Sequence, residues 1–224
     1  MSTQFEKTRQ YWGSAIKRGN LIYPNDQVIR FIKRYFKDKK DIKILDFGCG
    51  GGRNSVALLR EGYNVTAMDY TTEAIEMTRD KCRQIGMEDA TIILNTGFDI
   101  PISANSVDAI IADGSLFYYT KDDIKKVVTN LCKIMKQDAL MWADFRTKND
   151  SLFAKGDFIA EGLYRLGNGT DREDCAYYFA DEDDIKEIFN GGGLSIVSID
   201  DFTYSENNHK IVNSWYHVIA KKEA

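Results

Sequence analysis

Proline is nearly absent from this chain, with two in 224 residues, and histidine is equally rare. The four cysteines, Cys49, Cys82, Cys132 and Cys175, are far apart and form no C-x-x-C pair. That spacing argues against a zinc knuckle or a redox couple and leaves reduced, buried thiols as the simpler reading. No apolar run approaches membrane-spanning length. Glu6, Lys7 and Arg9 are not followed by the apolar core of a secretory signal, so a cytoplasmic protein without membrane association is expected. Lysines and arginines are dispersed under a net charge of -4, which gives no clustered footprint for nucleic acid. What remains is a 43% hydrophobic composition suited to one globular α/β domain over residues 1–224, large enough to cover both faces of a sheet. The sequence does not set an oligomeric state.

The informative stretch runs from Lys43 to Ser55. Lys43-Ile44-Leu45-Asp46-Phe47 reads as a buried strand, and residues from Arg53 to Glu61 carry helix-forming side chains with Val56, Leu58 and Leu59 on a core face. Gly48, Gly50, Gly51 and Gly52 therefore sit on a strand-to-helix turn, where the backbone can bend tightly and bring bare amides and a helix N-terminus to a ligand. A dinucleotide fingerprint needs glycine at the first, third and sixth positions, and the sixth is Arg53, which disfavours a nucleotide-dependent oxidoreductase. Instead, Asp46 precedes the first glycine by two, and Asp69 closes the next apolar run, Asn64 to Met68. An acid at the carboxyl end of a parallel strand can accept hydrogen bonds from two ribose hydroxyls, the role expected of Asp69.

Around this centre the chain alternates strand and helix patterns. Gln4 to Arg18 is helix-compatible and ends at Gly19-Asn20, and Val28, Ile29, Ile32, Tyr35 and Phe36 give a second helix an apolar face. Thr71 or Thr72 caps a helix that closes at Gly86. Thr91 to Leu94 is a third strand, Ser106 to Ala112 a fourth and Ala139 to Ala143 a fifth ending in Asp144-Phe145-Arg146, and Lys121 to Lys136 is the clearest helix. The stretch 147–180 is too long for an ordinary connection. It holds possible short strands at Phe158–Leu166 and Cys175–Phe179, joined through Gly167-Asn168-Gly169, and is expected to cover a substrate. Asp181 to Asp184 loads acids onto a helix N-terminus, which is sufficient explanation without a metal. Leu194 to Tyr204 and Ile211 to Ala220 close the chain as an antiparallel pair.

The run Asp-Phe-Gly-Cys-Gly-Gly-Gly-Arg-Asn-Ser, followed by Glu-Gly-Tyr-Asn-Val-Thr-Ala-Met-Asp, resembles class I S-adenosylmethionine (SAM)-dependent methyltransferases, most of all the small single-domain group that includes tellurite-resistance-type and other small-molecule enzymes. The resemblance implies a Rossmann-like, doubly wound seven-stranded sheet of order 3-2-1-4-5-7-6 with the last strand antiparallel, an insertion after strand 5 and an N-terminal helical cap over 1–40. It implies SAM as cofactor and a small polar or sugar-like acceptor, with Gly48, Gly50 and Gly52 against the methionine carboxylate and ribose. Asp46 would hold the turn or meet the amino group through water, and Arg53 would compensate the carboxylate. Tyr70, Gly97, Phe98, Asp113 and Gly114 complete the expected cofactor set. Thr96 stands where the family has an acid beside the adenine; Asp99 is a possible substitute, and Phe98 could flank the ring. The chain lacks the Asn-Pro-Pro-Tyr motif of base-amino methylation. Tyr118, Asp144 and Arg146 are candidates to orient the acceptor, Arg146 suiting a carboxylate or phosphate. Tyr11, Trp12 and Tyr23 either wall the acceptor pocket or cover the core's edge. His217 on a closing strand reads as structural and His209 as solvated. The alternative is a SAM-binding regulatory or scaffold protein without turnover.

Overall fold

The computed structural model describes residues 3–18, 22–37, 41–167, 172 and 174–223. The helix stop expected at Gly19-Asn20 and the turn at Asn168-Gly169 lie outside them. Five strands, β1 (Lys43–Phe47), β2 (Asn64–Asp69), β3 (Thr91–Leu94), β4 (Val107–Ala112) and β5 (Met135–Thr147), pair in parallel in the order β3-β2-β1-β4-β5. The closing strands β9 (Ser195–Glu206) and β10 (Ile211–Lys221) form an antiparallel hairpin, and β10 adds to β5 in antiparallel register. The core order is therefore the expected one, with β10 as the reversed strand.

Alternation along each central strand splits the core into two layers. Ile44, Ile111, Trp142 and Ile219 face Val28, Phe31 and Ile32 of α2 (Asp26–Phe36) and Leu58 of α3 (Arg53–Arg60). Their neighbours Leu45, Ile110, Met141 and Val218 face Val127, Val128 and Leu131 of α5 (Lys121–Ile134) and Ile185 and Phe189 of α6 (Glu182–Gly191). The acidic run at 181–184 serves α6 as a capping box: Asp181 accepts from the Asp184 amide and Asp184 from the Asp181 amide. Among the described residues no group of acids, cysteines and histidines is arranged to hold a metal ion, and no helix is long and apolar enough to cross a membrane.

Two expectations are corrected by the strands. β5 spans Met135–Thr147, longer than the expected Ala139–Ala143 strand with its end at Asp144-Phe145-Arg146, so Asp144 and Arg146 lie inside it. The single strand expected from Phe158 to Leu166 is a hairpin of β6 (Gly156–Ala160) and β7 (Leu163–Leu166), continued by β8 (Ala176–Ala180). The chain reverses at Gly162, whose φ is +72° and where a Cβ would stand 2.4 Å from the Tyr178 ring. The sheet has ten strands in place of seven.

The placement of this insertion follows from β5. One edge of β5 carries β10, and the other carries β4 as far as the pair Ala112–Ala143. β8 pairs with β5 at Arg146–Phe179 and Thr147–Ala180, so it occupies the β4 edge beyond the point where β4 stops. The insertion thus stands over the carboxyl ends of the parallel strands. α1 (Thr3–Arg18) is tied to it: the Ala176 amide donates to Thr8 Oγ1 and Gln4 Nε2 donates to the Asp174 carbonyl.

The root of the insertion is held by a buried ion pair, Arg146 Nη1 to Asp150 Oδ2 at 2.5 Å, and Asp150 also accepts from the amides of Leu152 and Ser214. Removing one partner of such a pair leaves an uncompensated charge. Asp150→Ala is expected to cost about 3–5 kcal/mol in urea unfolding, and the double change with Arg146→Met to recover most of it.

Candidate active site

Two concavities meet at the carboxyl ends of β1, β4 and β5. The first is a crevice of about 210 Å³ lined by the glycine turn, Asp69, Tyr70, Met77, residues 113–115, and Trp12, Ala15 and Ile16 of α1. The second is a trough of about 760 Å³ between the start of α2, the insertion and the β9–β10 hairpin. Trp12, Arg53, Asp113, Gly114 and Tyr118 line both.

The glycines of the turn do different work. Gly48 and Gly52 are both at positive φ and pressed by neighbours: a Cβ at Gly48 would lie 2.2 Å from Ser115 Cβ, and one at Gly52 2.7 Å from Thr78 Oγ1. Gly50 at φ +53° and Gly114 at φ +66° have open space where a side chain would stand. Close approach of a ligand is thus served by Gly50 and Gly114, while Gly52 packs the turn on α4 (Thr72–Gln84) and does not line the crevice. The first helical hydrogen bond of α3 runs from the Val56 amide to the Gly52 carbonyl, so the earlier amides form the open end of the helix.

Asp69 is buried and fastens the turn to β2. Its Oδ2 accepts from the Gly50 amide at 2.9 Å, and its Oδ1 from the Thr71 amide and hydroxyl at 2.8 and 2.9 Å. Burial raises its pKa against those bonds, which favour the charge. The Tyr70 amide donates to it as well, so the carboxylate's acceptor positions, about four, are all answered within the turn. Asp46 is 1% exposed, accepts from Ser55 Oγ at 2.5 Å and does not line the crevice; it braces the turn from behind.

Arg53 and Asp113 form an ion pair at 2.6 Å on the shared rim. Asp113 also accepts from Asn54 Nδ2 and Asn25 Nδ2, both at 2.8 Å, and the Asn25 amide donates to Asn54 Oδ1. This cluster locks the start of α2, the start of α3 and the end of β4 together. Asn25 and Asn54 were not legible as site residues, because each also reads as an ordinary helix-terminal polar residue.

Several expected residues stand elsewhere. Tyr23 is 78% exposed and lines neither cavity, Tyr11 backs Trp12 edge-on, and only Trp12 of the three reaches the site. Gly97 is packed on Phe47, 2.8 Å from a would-be Cβ, and Phe98 turns its edge to Tyr119; neither lines the crevice. Phe5 of α1 packs against Tyr70 and stacks on Tyr119 beside them.

In the trough, Arg146 pairs through Nη1 with Asp150 and lies 4.0 Å over the Trp215 ring, while its Nε is buried without a partner; its charge is thus largely neutralised before any acceptor carboxylate arrives. Asp144 accepts from the Gly114 amide at 2.7 Å, and burial together with the nearby Asp113 pushes its pKa up to about 8. Tyr118 lines both cavities with its ring edge-on to Trp12, and burial drives its phenol well above the usual range. The residues missed by the sequence reading are Ser115 in the crevice and Tyr177, Phe202, Trp215 and His217 in the trough. A signal existed for two of them, since Trp215 and His217 share parity with Ile219.

This is the Rossmann-like methyltransferase fold, with its crevice where such open sheets bind ligands. Residues 44–138 match the family described as a methyltransferase domain. A ubiquinone biosynthesis O-methyltransferase of Rickettsia bellii is 39% identical over 79 residues, 33% of this chain and 32% of that protein, so the match spans about a third of the length of that relative. A SAM-dependent methyltransferase from Methanosarcina mazei superposes with a TM-score of 0.72 at 18% identity, over 90% of this chain and 99% of the other. Magnesium protoporphyrin IX methyltransferase from Synechocystis, with bound SAM, gives 0.71 at 16% identity, over 100% and 99%.

Two stability predictions come from the site. Gly48→Ala combines positive φ with a clash against Ser115 Cβ and is expected to lose more than the roughly 1–2 kcal/mol of left-handed strain that bounds Gly50→Ala, compared by urea unfolding. Asp144 has a folded pKa raised above that of the unfolded chain, so between those values the native state holds the extra proton and stability falls as pH rises. The drop in urea midpoint from about pH 5 to about pH 8 is expected to be smaller in Asp144→Asn than in the native protein.

Proposed function

We propose that this chain is a SAM-dependent methyltransferase of the small-molecule, single-domain kind, acting on a small polar acceptor and releasing S-adenosylhomocysteine. The observation that carries the reading is the junction of the two concavities: a glycine-turn crevice ending on Asp69 opens through a shared rim into a separate trough. A binding protein without turnover has no use for the second chamber.

The residues of the crevice fit the cofactor. Ser115 Oγ and Trp12 Nε1 are buried there without a hydrogen-bond partner, although both are groups that ordinarily find one. Gly50 and Gly114 leave open cradles. Arg53 and Asp113 present opposite charges to the two ends of an amino acid, Asp69 lines the crevice where a ribose hydroxyl would share its carboxylate oxygens with the turn amides, and Tyr70 and Met77 offer an apolar wall to a purine. Bound there, the sulfonium supplies a methyl group that is already electrophilic. The protein's part is to hold the acceptor in line and keep water out. Trp12 and Tyr118 on the rim, with α1 over the crevice, do the excluding.

The test is SAM binding by calorimetry. Asp69→Ala removes an acceptor whose hydrogen bonds to a charged group are worth about 1.5–3 kcal/mol, so affinity is expected to fall roughly tenfold to a hundredfold. Asp69→Asn, which keeps the shape of the side chain, controls for the loss of the Gly50 and Thr71 contacts. Unchanged affinity in both variants removes Asp69 from the site.

A further inference from the structure

The trough carries information about the acceptor that neither the fold nor the crevice does. Aromatic rings stand among the polar side chains of its lining: Phe117, Tyr177, Phe202, Tyr204 and Trp215 line it along with Trp12. Several of these rings pack edge-on as a continuous set, Phe117 against Tyr177 at 5.3 Å and against Trp215 at 5.6 Å. Most of its charged groups are engaged within the protein. Arg53 pairs with Asp113, Arg146 with Asp150, Asp26 with Arg30, and Glu206 accepts from Asn213. Arg172 lies over the Tyr177 ring and is hydrogen-bonded to it. Among the described lining residues every arginine has a partner, Arg146 through Nη1 while its Nε is buried without one, so no arginine charge is left wholly unmatched for an anionic acceptor.

His217 stands in this setting as the one imidazole of the trough. On β10 it lies opposite Asp144 of β5 and Asp200 of β9, its ring stacked on Phe202 at 5.0 Å and tilted against Trp142 at 5.2 Å. The groups that face it are Asp144, Asp200 and Asp113, with Arg53 and Arg146 beyond them. Burial is the larger influence and lowers its pKa, so the ring is neutral near pH 7 and able to take a proton. The other candidates are less suited: Tyr118 keeps its proton, and Asp144 is engaged by the Gly114 amide with its own pKa raised to about 8.

We propose that the acceptor is an uncharged, planar ring bearing a hydroxyl group, held between the aromatic walls of the trough, and that His217 is the general base that takes the hydroxyl proton. This rests on the cofactor reading above and narrows the acceptor away from sugars. In the step, the hydroxyl oxygen bonds to the sulfonium methyl carbon, the carbon–sulfur bond breaks with its electron pair passing to sulfur, and the hydroxyl proton moves to the imidazole and from there to solvent. A methyl ether, S-adenosylhomocysteine and one proton result.

The experiment uses the full chain, labelled SAM and a panel of phenol, catechol, 4-hydroxybenzoate and glucose, with S-adenosylhomocysteine binding measured in parallel. Label is expected in phenol or catechol, less in the anionic 4-hydroxybenzoate and none in glucose. His217→Asn and His217→Gln are expected to keep S-adenosylhomocysteine affinity and the melting temperature, to lower kcat by about 100-fold or more with KM little changed, and to lose the fall in kcat on the acid side of the pH profile. Bound S-adenosylhomocysteine without transfer to phenol or catechol overturns the acceptor class and leaves the cofactor reading standing; no binding at all defeats both. If the acid limb survives in both His217 variants and disappears in Asp144→Asn, the base is Asp144 and the assignment to His217 is wrong.

Discussion

The hydrogen bond from the Gly50 amide to the buried Asp69 carboxylate is the contact on which the site depends. It joins the turn after β1 to the end of β2, two segments that otherwise meet only through the sheet and through the Gly48 and Cys49 amides on the Met68 carbonyl. A carboxylate taken from water is costly unless its charge is answered by donors. Here the donors are the Gly50, Tyr70 and Thr71 amides and the Thr71 hydroxyl, so the need to satisfy Asp69 dictates the shape of the turn. That shape in turn requires positive φ at Gly48, Gly50 and Gly52.

A second polar centre fixes the other side of the crevice. Asp113 draws together Arg53, Asn54 and Asn25, and Asp144 behind it draws in the Gly114 amide. The ends of β1, β4 and β5 are thus bound by carboxylates whose partners come from neighbouring loops. The insertion enters this arrangement by geometry alone, because β4 is shorter than β5 and the vacated edge of β5 accepts β8. The same stretch of β5 carries Arg146 and Asp144, so the strand that receives the insertion also supplies the floor of the trough. Part of the trough's lining and the anchor of its cover share one piece of backbone.

Most of the sheet was readable from letters, since alternation of apolar residues, acid-ended strands and the glycine turn all act locally. The positions of β1 to β4, the cap at Thr71 and the closing hairpin follow from such local rules. What was not readable depends on contacts distant in sequence. The hairpin at Gly162 is set by the Tyr178 ring, the neutralisation of Arg146 by Asp150 folding back from the loop, and the exclusion of Phe98 from the crevice by the way it packs on Tyr119. Tyr23 looked like a wall residue because it is aromatic and sits near the cap, yet nothing packs it inward. His217 was read as structural for the converse reason, as its strand pattern matched a core position while its register placed it beside Asp144 at the trough.

The most direct test of the account is a crystal structure with S-adenosylhomocysteine bound. It should place the ribose at Asp69, the amino acid end between Arg53 and Asp113, and the thioether sulfur at the Trp12–Tyr118 rim, turned toward the trough. A nucleoside lying anywhere other than along the glycine turn, or a sulfur turned away from the trough, would contradict it.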